Sequence, residues 1–431
     1  LKTIKQFAFL QDKVDELPKV KNWNTVALAS HEDCLEDKIK YAANFKIVEV
    51  ESNKWQANRI TQDIGDQVLV INPPYKTMEE KEIDASFELP YTREPHPKYK
   101  KKGNIPAYDM IKFSVNMHRG CFGGCSFCTI SAHQGKFIAS RSEKSILSEV
   151  SKVAAHPEFK GYISDLGGPS ANMYKMKGKD EAICERCISP SCIHPVICNN
   201  LDTSHKPMTE LYKKIDALPE VKKAFVGSGI RYDLLVDDFN KNNEDGNHDE
   251  YIEQVITRHV SGRLKVAPEH TSDKTLRVMR KPSFKYFHKF KEKYDKISEK
   301  VGINQQLVPY FISSHPGCDE VDMANLAAET KDMGFQLEQV QDFTPTPMTV
   351  ATVIYYAGVH PYTLKPIETV KSKEEKLEQN KFFFWYKKEN RSWIKNKLNK
   401  ANRPDLLEKL IEPETKREMP PWLEKRRKNK R

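Results

Sequence analysis

Seven of the nine cysteines in this chain fall into two tight groups, at positions 121–128 and 184–198. The other two, Cys34 and Cys318, are isolated. Because the N-terminus has no signal-peptide pattern, the disulfide framework of a secreted protein is not expected. Clustered thiols in a reducing compartment are more often metal ligands or redox groups. Any fold of this chain must therefore bring each set of sulfur atoms together.

The length of 431 residues exceeds that of one ordinary domain, and 38% of the residues are hydrophobic. We therefore expect a globular protein of two or three domains. No apolar run approaches the length that spans a bilayer, which favours a cytoplasmic location. The sequence begins at Leu1 rather than Met, so we expect a processed N-terminus or a start inside a longer protein.

Much of the formal net charge of +10 lies at the C-terminal end, where six basic side chains occupy the last seven residues. They are Lys425, Arg426, Arg427, Lys428, Lys430 and Arg431. Charge blocks of this kind are usually solvated ends, and a contact with RNA is the alternative. Charge alone does not decide between them.

Short apolar runs alternate with polar, helix-compatible segments over residues 1–72, which predicts a partial N-terminal α/β domain. The runs are Val26–Ala29, Ile47–Val50 and Val68–Ile71. Several prolines and charges follow between Pro73 and Pro106. Since proline removes a backbone donor and disfavours helix in the residue before it, residues 73–109 are interpreted as a linker.

A strand, a glycine-rich loop and a helix are predicted around the first cysteine group. Apolar and polar residues alternate over Ile111–Met117, and the loop Gly120–Cys128 follows. Ser140, with Glu143 three residues later, has the pattern of a capping box at the start of a helix. The apolar positions of that helix fall on one face: Ile146, Leu147, Val150 and Val153.

Five more short apolar runs end in Gly, Ser, His, Glu or Pro residues, which suit close approach of a ligand. They are Tyr162–Leu166, Ala224–Val226, Leu264–Ala267, Leu307–Ile312 and Val340–Phe343. Alternating strands and helices predict a parallel sheet with right-handed crossovers, here a full or partial six-stranded barrel over residues 110–360. Active sites of such barrels lie at the C-terminal ends of the strands, where the cysteine loop also lies.

The sequence changes character after Pro361, and Lys371–Ala401 is rich in Lys, Glu and aromatic residues. Residues 361–431 are therefore interpreted as a small helical C-terminal domain that ends in the basic tail. The predicted fold class is α/β, with a partial (β/α)6 barrel between the N-terminal α/β segment and this helical domain.

The first cysteine group has the spacing CxxxCxxC, at Cys121, Cys125 and Cys128. Three thiolates can ligate three corners of a four-iron, four-sulfur cluster and leave the fourth iron open for a substrate or cofactor. Glycines at positions 120, 123 and 124 allow the backbone to wrap closely around such a cluster. The alternatives are buried core cysteines or a zinc site, which His118 or His133 could complete.

The run from Arg119 to Cys128 resembles the cluster-binding motif of the radical S-adenosylmethionine (SAM) superfamily. From about residue 50 to residue 410 the chain resembles the YgiQ family within it. The motifs that carry this resemblance are Ile105–Ile111, Ser164–Tyr174, Lys265–His270 and Pro309–Gly317. Members of the family have a longer N-terminal region, so part of that domain is expected to be missing here.

The resemblance implies that SAM binds the open iron through its methionyl amine and carboxylate, and that an electron from the cluster splits the sulfonium. The products are methionine and a 5′-deoxyadenosyl radical, which abstracts hydrogen from a substrate. Within the resemblance, Phe127 packs near adenine, and Gly167 and Gly168 contact the methionyl amine. Pro169 replaces the acidic residue often found next in that motif. An electron donor such as flavodoxin or ferredoxin is also implied.

Ser228, Arg231 and Glu269 are then expected partners of the ribose or the carboxylate of SAM. Other roles stay open, with Arg231 in a surface ion pair and Glu269 as the cap of the next helix. His270 and His315 are candidates for acid–base steps, although a histidine at a turn more often makes a structural hydrogen bond.

The second cysteine group lies in a predicted insertion over residues 172–207, with His194 and His205 nearby. Its members are Cys184, Cys187, Cys192 and Cys198. Their spacing is compact enough for one tetrahedral metal ion or a second cluster. Cys184 is the member that is least typical of YgiQ-like sequences. An auxiliary metal site is expected, with free thiols as the alternative.

Three functions follow from these features. The resemblance favours a SAM-cleaving radical enzyme that acts on an unknown substrate. A non-catalytic iron–sulfur protein for electron transfer would need only the cluster. A zinc-containing RNA-binding protein would use the basic tail and the second cysteine group.

Overall fold

The computed structural model describes residues 2–99, 101–241, 247–338 and 340–411. The basic tail at residues 425–431 lies outside these ranges, so its role stays a prediction.

The N-terminal residues form a sheet of four strands with two helices. The elements are β1 (Ala8–Asp12), β2 (Thr25–Ala27), α1 (His31–Glu36), α2 (Lys38–Ser52), β3 (Arg59–Ile64) and β4 (Gln67–Ile71). The strand order is β1–β4–β3–β2, with β2 parallel to β3 and the other pairs antiparallel. The β3–β4 hairpin turns at Gly65, whose φ of +54° suits a residue without a Cβ.

The strand expected at Ile47–Val50 is wrong, because these residues lie inside α2. A run of four residues is too short to separate a strand from one turn of a helix. Asp37 decides the outcome, since its carboxylate accepts from the Ile39 N–H at 2.7 Å and begins the helix.

The segment interpreted as a linker contains α3 (Glu80–Phe87), a 3₁₀ turn at Pro97–Tyr99 and α4 (Pro106–Ile111). Pro106 occupies the first turn of α4, where its missing N–H has no helical partner to lose. Asp84 of α3 accepts from the Ser142 N–H at 2.9 Å, so this helix packs against the unit that follows.

The remaining strands are two or three residues long, except β11 with seven and β12 with eight. They are β5 (Ser114–Asn116), β6 (His118–Arg119), β7 (Ala139–Ser140), β8 (Tyr162–Ile163), β9 (Asp165–Gly167), β10 (Lys223–Ala224), β11 (Arg263–Glu269), β12 (Gln306–Ser313) and β13 (Val340–Asp342). The pairs β5–β9, β8–β10, β11–β12 and β12–β13 are parallel. A parallel bridge joins Ile230 to Val266 of β11.

Helices lie between most of these strands, which confirms the mixed α/β class. They are α5 (Ile130–Gln134), α6 (Glu143–Ala154), α7 (Glu181–Glu185), α8 (Lys206–Asp216), α9 (Asn247–Gln254), α10 (Asp273–Met279), α11 (Lys285–Val301), α12 (Glu320–Asp332) and α13 (Val350–Ala357). Irregular helical turns occupy Tyr232–Leu235 and Val255–His259. None of the described helices is long and apolar enough to cross a membrane.

Two local predictions beside the first cysteine group are corrected. The strand expected over Ile111–Met117 is reduced to β5, because Ile111 ends α4. The capping box at Ser140 and Glu143 is wrong, because Ser140 lies in β7. Ser142 caps α6 instead, and its hydroxyl accepts from the Ser145 N–H at 3.1 Å. The predicted apolar face of α6 is confirmed at three positions, where the side chains are buried: Ile146, Val150 and Val153.

Three helices close the described chain: α14 (Lys373–Phe383), α15 (Lys388–Lys400) and α16 (Pro404–Ile411). Buried side chains from all three join the apolar core of the parallel strands. A separate small core joins α2 to α13, where Phe45 packs with Val350 and Ile354. The N-terminal segment is thereby held beside the start of α13, close to the cysteine loop.

Candidate metal centre

The first cysteine loop joins β6 to α5 and is fixed by backbone hydrogen bonds from three directions. The Cys121 N–H donates to the Gly135 carbonyl at 3.0 Å. The Ser126 N–H donates to the Met279 carbonyl at 3.0 Å, and the Ser126 carbonyl accepts from the Ala351 N–H at 2.8 Å. The ends of α10 and α13 thus hold the centre of the loop, so its shape does not depend on the side chains alone.

Two of the three cysteine sulfurs, those of Cys121 and Cys125, lie close to Gly123. A Cβ at this position would lie 3.3 Å from the Cys121 sulfur, 3.8 Å from the Cys125 sulfur and 3.1 Å from Nη1 of Arg231. The Gly123 N–H also points at the Cys121 sulfur, at 3.4 Å. The absence of a side chain therefore leaves room between two sulfurs that a ligated cluster would need.

The three thiols are buried close enough together to influence one another. Burial and then the neighbouring Cys125 raise the pKa of Cys128 to about 12. The same two causes raise the pKa of Cys121, against the opposing effects of the Gly123 N–H and Arg231. Three thiolates packed together without a cation would be unfavourable. Bound iron would supply the positive charge that this donor set needs, so the residues fit a cluster.

A single metal ion is a poor fit to the same side chains. Across the described ranges, no three His, Cys, Asp or Glu side chains are placed to hold one ion. Zinc requires every donor within about 2.3 Å of one point, whereas a cubane cluster binds each thiolate at a different iron. His118 does not complete a zinc site, because its ring packs against Gly168.

Arg231 stands between the cysteines and a carboxylate. Its Nη1 donates to the Cys125 sulfur at 3.4 Å, while Nε and Nη2 donate to the two carboxylate oxygens of Asp233 at 2.9 and 2.5 Å. Both side chains are buried, so the open alternative of a surface ion pair is wrong. Burial would raise the pKa of Asp233, but the Arg231 guanidinium outweighs it and holds that pKa low.

Asp233 was not identified from the sequence. Its position two residues after Arg231 was the available signal, since short Arg–Asp spacings allow a bidentate pair.

Glu269 ends β11 in a left-handed conformation, with φ at +70°, and is buried. Burial raises its pKa, although Lys281 and Arg231 oppose that shift. It does not cap α10, because the residue at the N-cap position of that helix is Ser272. Nδ1 of His270 accepts from the Thr271 and Ser272 N–H groups, both at 3.0 Å. The carboxyl group of Glu269 lies near enough to Cys128 to raise the pKa of that thiol.

Phe127 lies edge-on to His315, with ring centroids 5.9 Å apart. His315 Nδ1 donates to the Pro316 carbonyl at 2.9 Å, and Nε2 lies 3.4 Å from the Ser126 hydroxyl. Burial lowers the pKa of His315 to about 3 and that of His270 to about 4. Both rings are therefore neutral and make structural hydrogen bonds, as expected of histidines at turns.

Gly167 and Gly168 are buried at the end of β9. A Cβ at Gly168 would lie 2.3 Å from the His118 ring, so only glycine fits there. The Ser228 hydroxyl donates to Asp165 at 2.5 Å, and the Gly227 N–H donates to the same carboxylate at 2.8 Å. Asp165 therefore fixes the turn after β10, a role that the sequence did not reveal.

A pocket opens beside the cysteine loop, on the side where the N-terminal segment packs. It is lined by Phe45, Glu49 and Asn53 of the N-terminal segment together with Cys125 and Cys128. The carboxylate of Glu49 accepts from both Arg280 terminal nitrogens, at 2.7 and 3.0 Å. This ion pair ties α2 to the residue that follows α10, so the N-terminal segment forms one wall of the candidate site.

Most of the chain is similar in sequence to known proteins. A family model described as "Radical SAM N-terminal" matches residues 1–114, and a domain of unknown function, DUF3362, matches residues 338–429. A UPF0313 protein of Bacteroides thetaiotaomicron is 59% identical over 95% of this chain and 65% of its own length. One from Porphyromonas gingivalis is 56% identical over 96% of this chain and 65% of its own length.

A more distant UPF0313 protein, from Methanosarcina acetivorans, is 42% identical over 89% of this chain and 50% of its own length. The chain thus spans between half and two thirds of these relatives. Among solved structures, the radical SAM methyltransferase TsrM from Kitasatospora setae, with cobalamin and a [4Fe-4S] cluster bound, covers 68% of this chain and 49% of its own. Its sequence identity is 12% and its TM-score is 0.38.

The strong matches are those to UPF0313 proteins, and they extend across both cysteine groups. The predicted resemblance is confirmed, and it reaches further toward the N-terminus than residue 50, because the N-terminal family model begins at residue 1. The chain belongs to the UPF0313, or YgiQ, family of radical SAM proteins.

Proposed function

We propose that this chain is a radical SAM enzyme in which Cys121, Cys125 and Cys128 ligate a four-iron, four-sulfur cluster. The observation that carries the proposal is that the Cys121 and Cys125 sulfurs lie beside Gly123 and are both close enough to raise the pKa of Cys128, in a chain of the radical SAM family. The cluster, with SAM at its open iron, would supply one-electron cleavage of the sulfonium and a 5′-deoxyadenosyl radical for hydrogen abstraction.

The fold proposed around this site is a partial (β/α)6 barrel over residues 110–360. The parallel pairs from β5 to β13, with the bridge from Ile230 to Val266, support a sheet that follows the chain order. Residues 1–72 and 361–431 would flank it as an N-terminal α/β segment and a helical C-terminal region. In such barrels the ligand site lies at the C-terminal ends of the strands.

The chain's own residues would orient SAM and shield it from water. We infer that backbone groups at Gly167 and Gly168 receive the methionyl amine, and that Phe127 packs against adenine. Glu269, which is buried at the end of β11, would contact the ribose or the amine. We do not propose Arg231 or Ser228 as contacts of SAM. The Arg231 guanidinium already donates to Cys125 and Asp233, and the Ser228 hydroxyl donates to Asp165.

Arg231 would act through the sulfur of Cys125. A guanidinium hydrogen bond to a ligand sulfur adds positive charge beside an anionic cluster, and such bonds tune the reduction potential of iron–sulfur centres. The electron would come from a donor such as flavodoxin or ferredoxin. A cytoplasmic location is proposed with it.

The test is SAM cleavage in protein that has been reconstituted with iron and sulfide without oxygen and then reduced. We expect 5′-deoxyadenosine and methionine, measured by mass spectrometry, and their loss in Cys125→Ala. Cys34→Ala is the matched control, because Cys34 is a buried cysteine of α1 outside both groups. A redox-active cluster that leaves SAM intact would favour an iron–sulfur protein for electron transfer. Zinc in place of iron would favour a zinc-containing RNA-binding protein.

A further inference from the structure

The second cysteine group packs directly against the back of the first cysteine loop. The Cys192 N–H donates to the Phe122 carbonyl at 3.0 Å, and the Ser191 hydroxyl donates to the Gly123 carbonyl at 2.8 Å. Phe122 also joins a small apolar core formed mainly by this insertion. The second cysteine group is thus joined to the backbone of the first cysteine loop by direct hydrogen bonds.

Backbone hydrogen bonds join the members of the second group in pairs, because the Cys187 N–H donates to the Cys184 carbonyl at 3.1 Å and the Cys198 N–H donates to the Cys192 carbonyl at 2.8 Å. Burial is the main cause that raises the pKa of Cys192 to about 12, and the nearby thiols of the other three members add to it. Burial is also the main cause that raises the pKa of Cys184, and the charges of Cys187 and Cys198 raise it further. Four residues spread over fifteen positions of an irregular segment have therefore been folded toward one another.

The backbone around this group is shaped to hold a sulfur. A Cβ at Gly178 would lie only 2.3 Å from the Cys184 sulfur, so a side chain there would fill the space that the thiol occupies. Asn200 closes the same turn, because its Nδ2 donates to the Asp180 carbonyl at 2.8 Å and to the Cys184 sulfur at 3.4 Å. Gly178 and Leu201 pair across the mouth of the segment.

A buried lysine points into the group. Lys136 is 1% exposed, and its ammonium donates to the Ser189 carbonyl at 2.8 Å and contacts the Cys187 sulfur at 3.7 Å. It also lowers the pKa of Cys192. Burying an ammonium group beside neutral partners costs several kcal/mol, so this position favours an anionic occupant. A cluster held by four thiolates carries such a negative charge.

We propose that Cys184, Cys187, Cys192 and Cys198 bind a second four-iron, four-sulfur cluster with a thiolate on every iron. Four cysteines complete the ligand set, so this cluster would have no open iron and no site for SAM. A single zinc ion fits less well, because no three of the described His, Cys, Asp or Glu side chains are placed to hold one ion. A cubane accepts thiolates that are further apart.

The proposal is tested by counting metal in the full chain after anaerobic purification and reconstitution. We expect about eight iron atoms and eight sulfides per wild-type chain, as two cubanes require. The triple variant C121A/C125A/C128A should retain about four of each, because it leaves the second group intact. The double variant C187A/C192A should also retain about four. Its reduced spectrum, like that of the wild type, should respond to SAM, whereas that of the triple variant should not.

Three outcomes would overturn the proposal. The first is about four iron atoms in the wild type and none in the triple variant. The second is one zinc ion that the triple variant keeps, and the third is a disulfide-linked second group without metal. If the triple variant keeps its iron while SAM never perturbs the wild-type spectrum, the second cluster stands and the proposed SAM chemistry fails.

Lys136 offers a second test that leaves all four ligands in place. In the triple-variant background, Lys136→Met should speed the loss of iron to a chelator by about tenfold, the usual size of an effect from a residue that contacts a metal ligand. Lys177→Met is the matched control, because Lys177 lies in residues 172–207, which contain the second cysteine group, and its side chain is exposed. Equal rates for the two variants would show that Lys136 does not support a cluster.

Discussion

Arg231 contacts the Cys125 sulfur with one terminal nitrogen while its other two donors hold both oxygens of Asp233. The side chains of Arg231 and Asp233 are both buried. The bidentate pair removes the rotational freedom of the guanidinium, so its third donor has a fixed direction toward the sulfur. One of the three proposed cluster ligands is therefore contacted by a positive charge that lies outside the cysteine loop.

Removing the carboxylate from this pair should be costly. Asp233→Asn would leave the buried Arg231 guanidinium without its counter-charge, and we expect a loss of roughly 3–5 kcal/mol in the free energy of unfolding. Urea denaturation of the metal-free chain measures it. The control is Asp405→Asn, because Arg403 and Asp405 make the same bidentate pair with the same spacing at an exposed site. An exposed pair should change little, and equal losses from both variants would contradict our interpretation.

The packing of Gly168 on His118 gives a second prediction. Gly168→Ala would bring a methyl group to 2.3 Å from the imidazole, and we expect a loss of roughly 1–3 kcal/mol from overpacking. Gly229→Ala is the control, because a Cβ there meets nothing within 4 Å. Adding His118→Ala to Gly168→Ala should recover part of the loss. Thermal unfolding of the wild type, the two single glycine variants and the double variant measures these losses. An unchanged stability of Gly168→Ala would show that this contact is not tight.

Acid should destabilise the fold through its buried histidines. Burial lowers the pKa of His315 to about 3, whereas an unfolded histidine has a pKa of about 6.5. Between these values the unfolded chain binds a proton that the folded chain does not, so stability falls as the pH is lowered through this window. His315→Gln keeps an amide for hydrogen bonding but does not titrate.

This variant should reduce the slope of unfolding free energy against pH, between pH 6 and pH 4, by up to about 1.4 kcal/mol per pH unit. Urea denaturation at several pH values measures the slope. An unchanged slope would mean that His315 is accessible to protons in the folded state.

The sequence predicted those parts of the site that depend on local pattern. Cysteine spacing and the glycines at positions 123 and 124 indicated the loop in which we propose the cluster. Period-two alternation followed by a helical face indicated a strand and a helix around it, although the strand is shorter than predicted. Side-chain partners from distant segments could not be predicted. Lys136 lies 51 positions before the Cys187 sulfur that it contacts, and Asp84 lies 58 positions before the Ser142 N–H that it accepts from.

Predictions from short stretches of sequence were also wrong where local signals conflict. Ile47–Val50 is apolar enough for a strand, but the cap at Asp37 places it in a helix that packs on α13. The prolines of residues 73–109 suggested a linker, yet Pro106 stands where proline begins a helix. In both cases the decisive residue lies at the end of the element rather than in the run itself.

Electron paramagnetic resonance of the reduced, reconstituted chain, with and without SAM, tests whether the first cysteine group holds a cluster with an open iron. To remove any signal from the second cysteine group, it should be made on C187A/C192A. If Cys121, Cys125 and Cys128 hold a cluster with an open iron, the spectrum of the reduced cluster changes when SAM is added, and Cys128→Ala abolishes the signal. A cluster signal that SAM leaves unaltered would contradict the account.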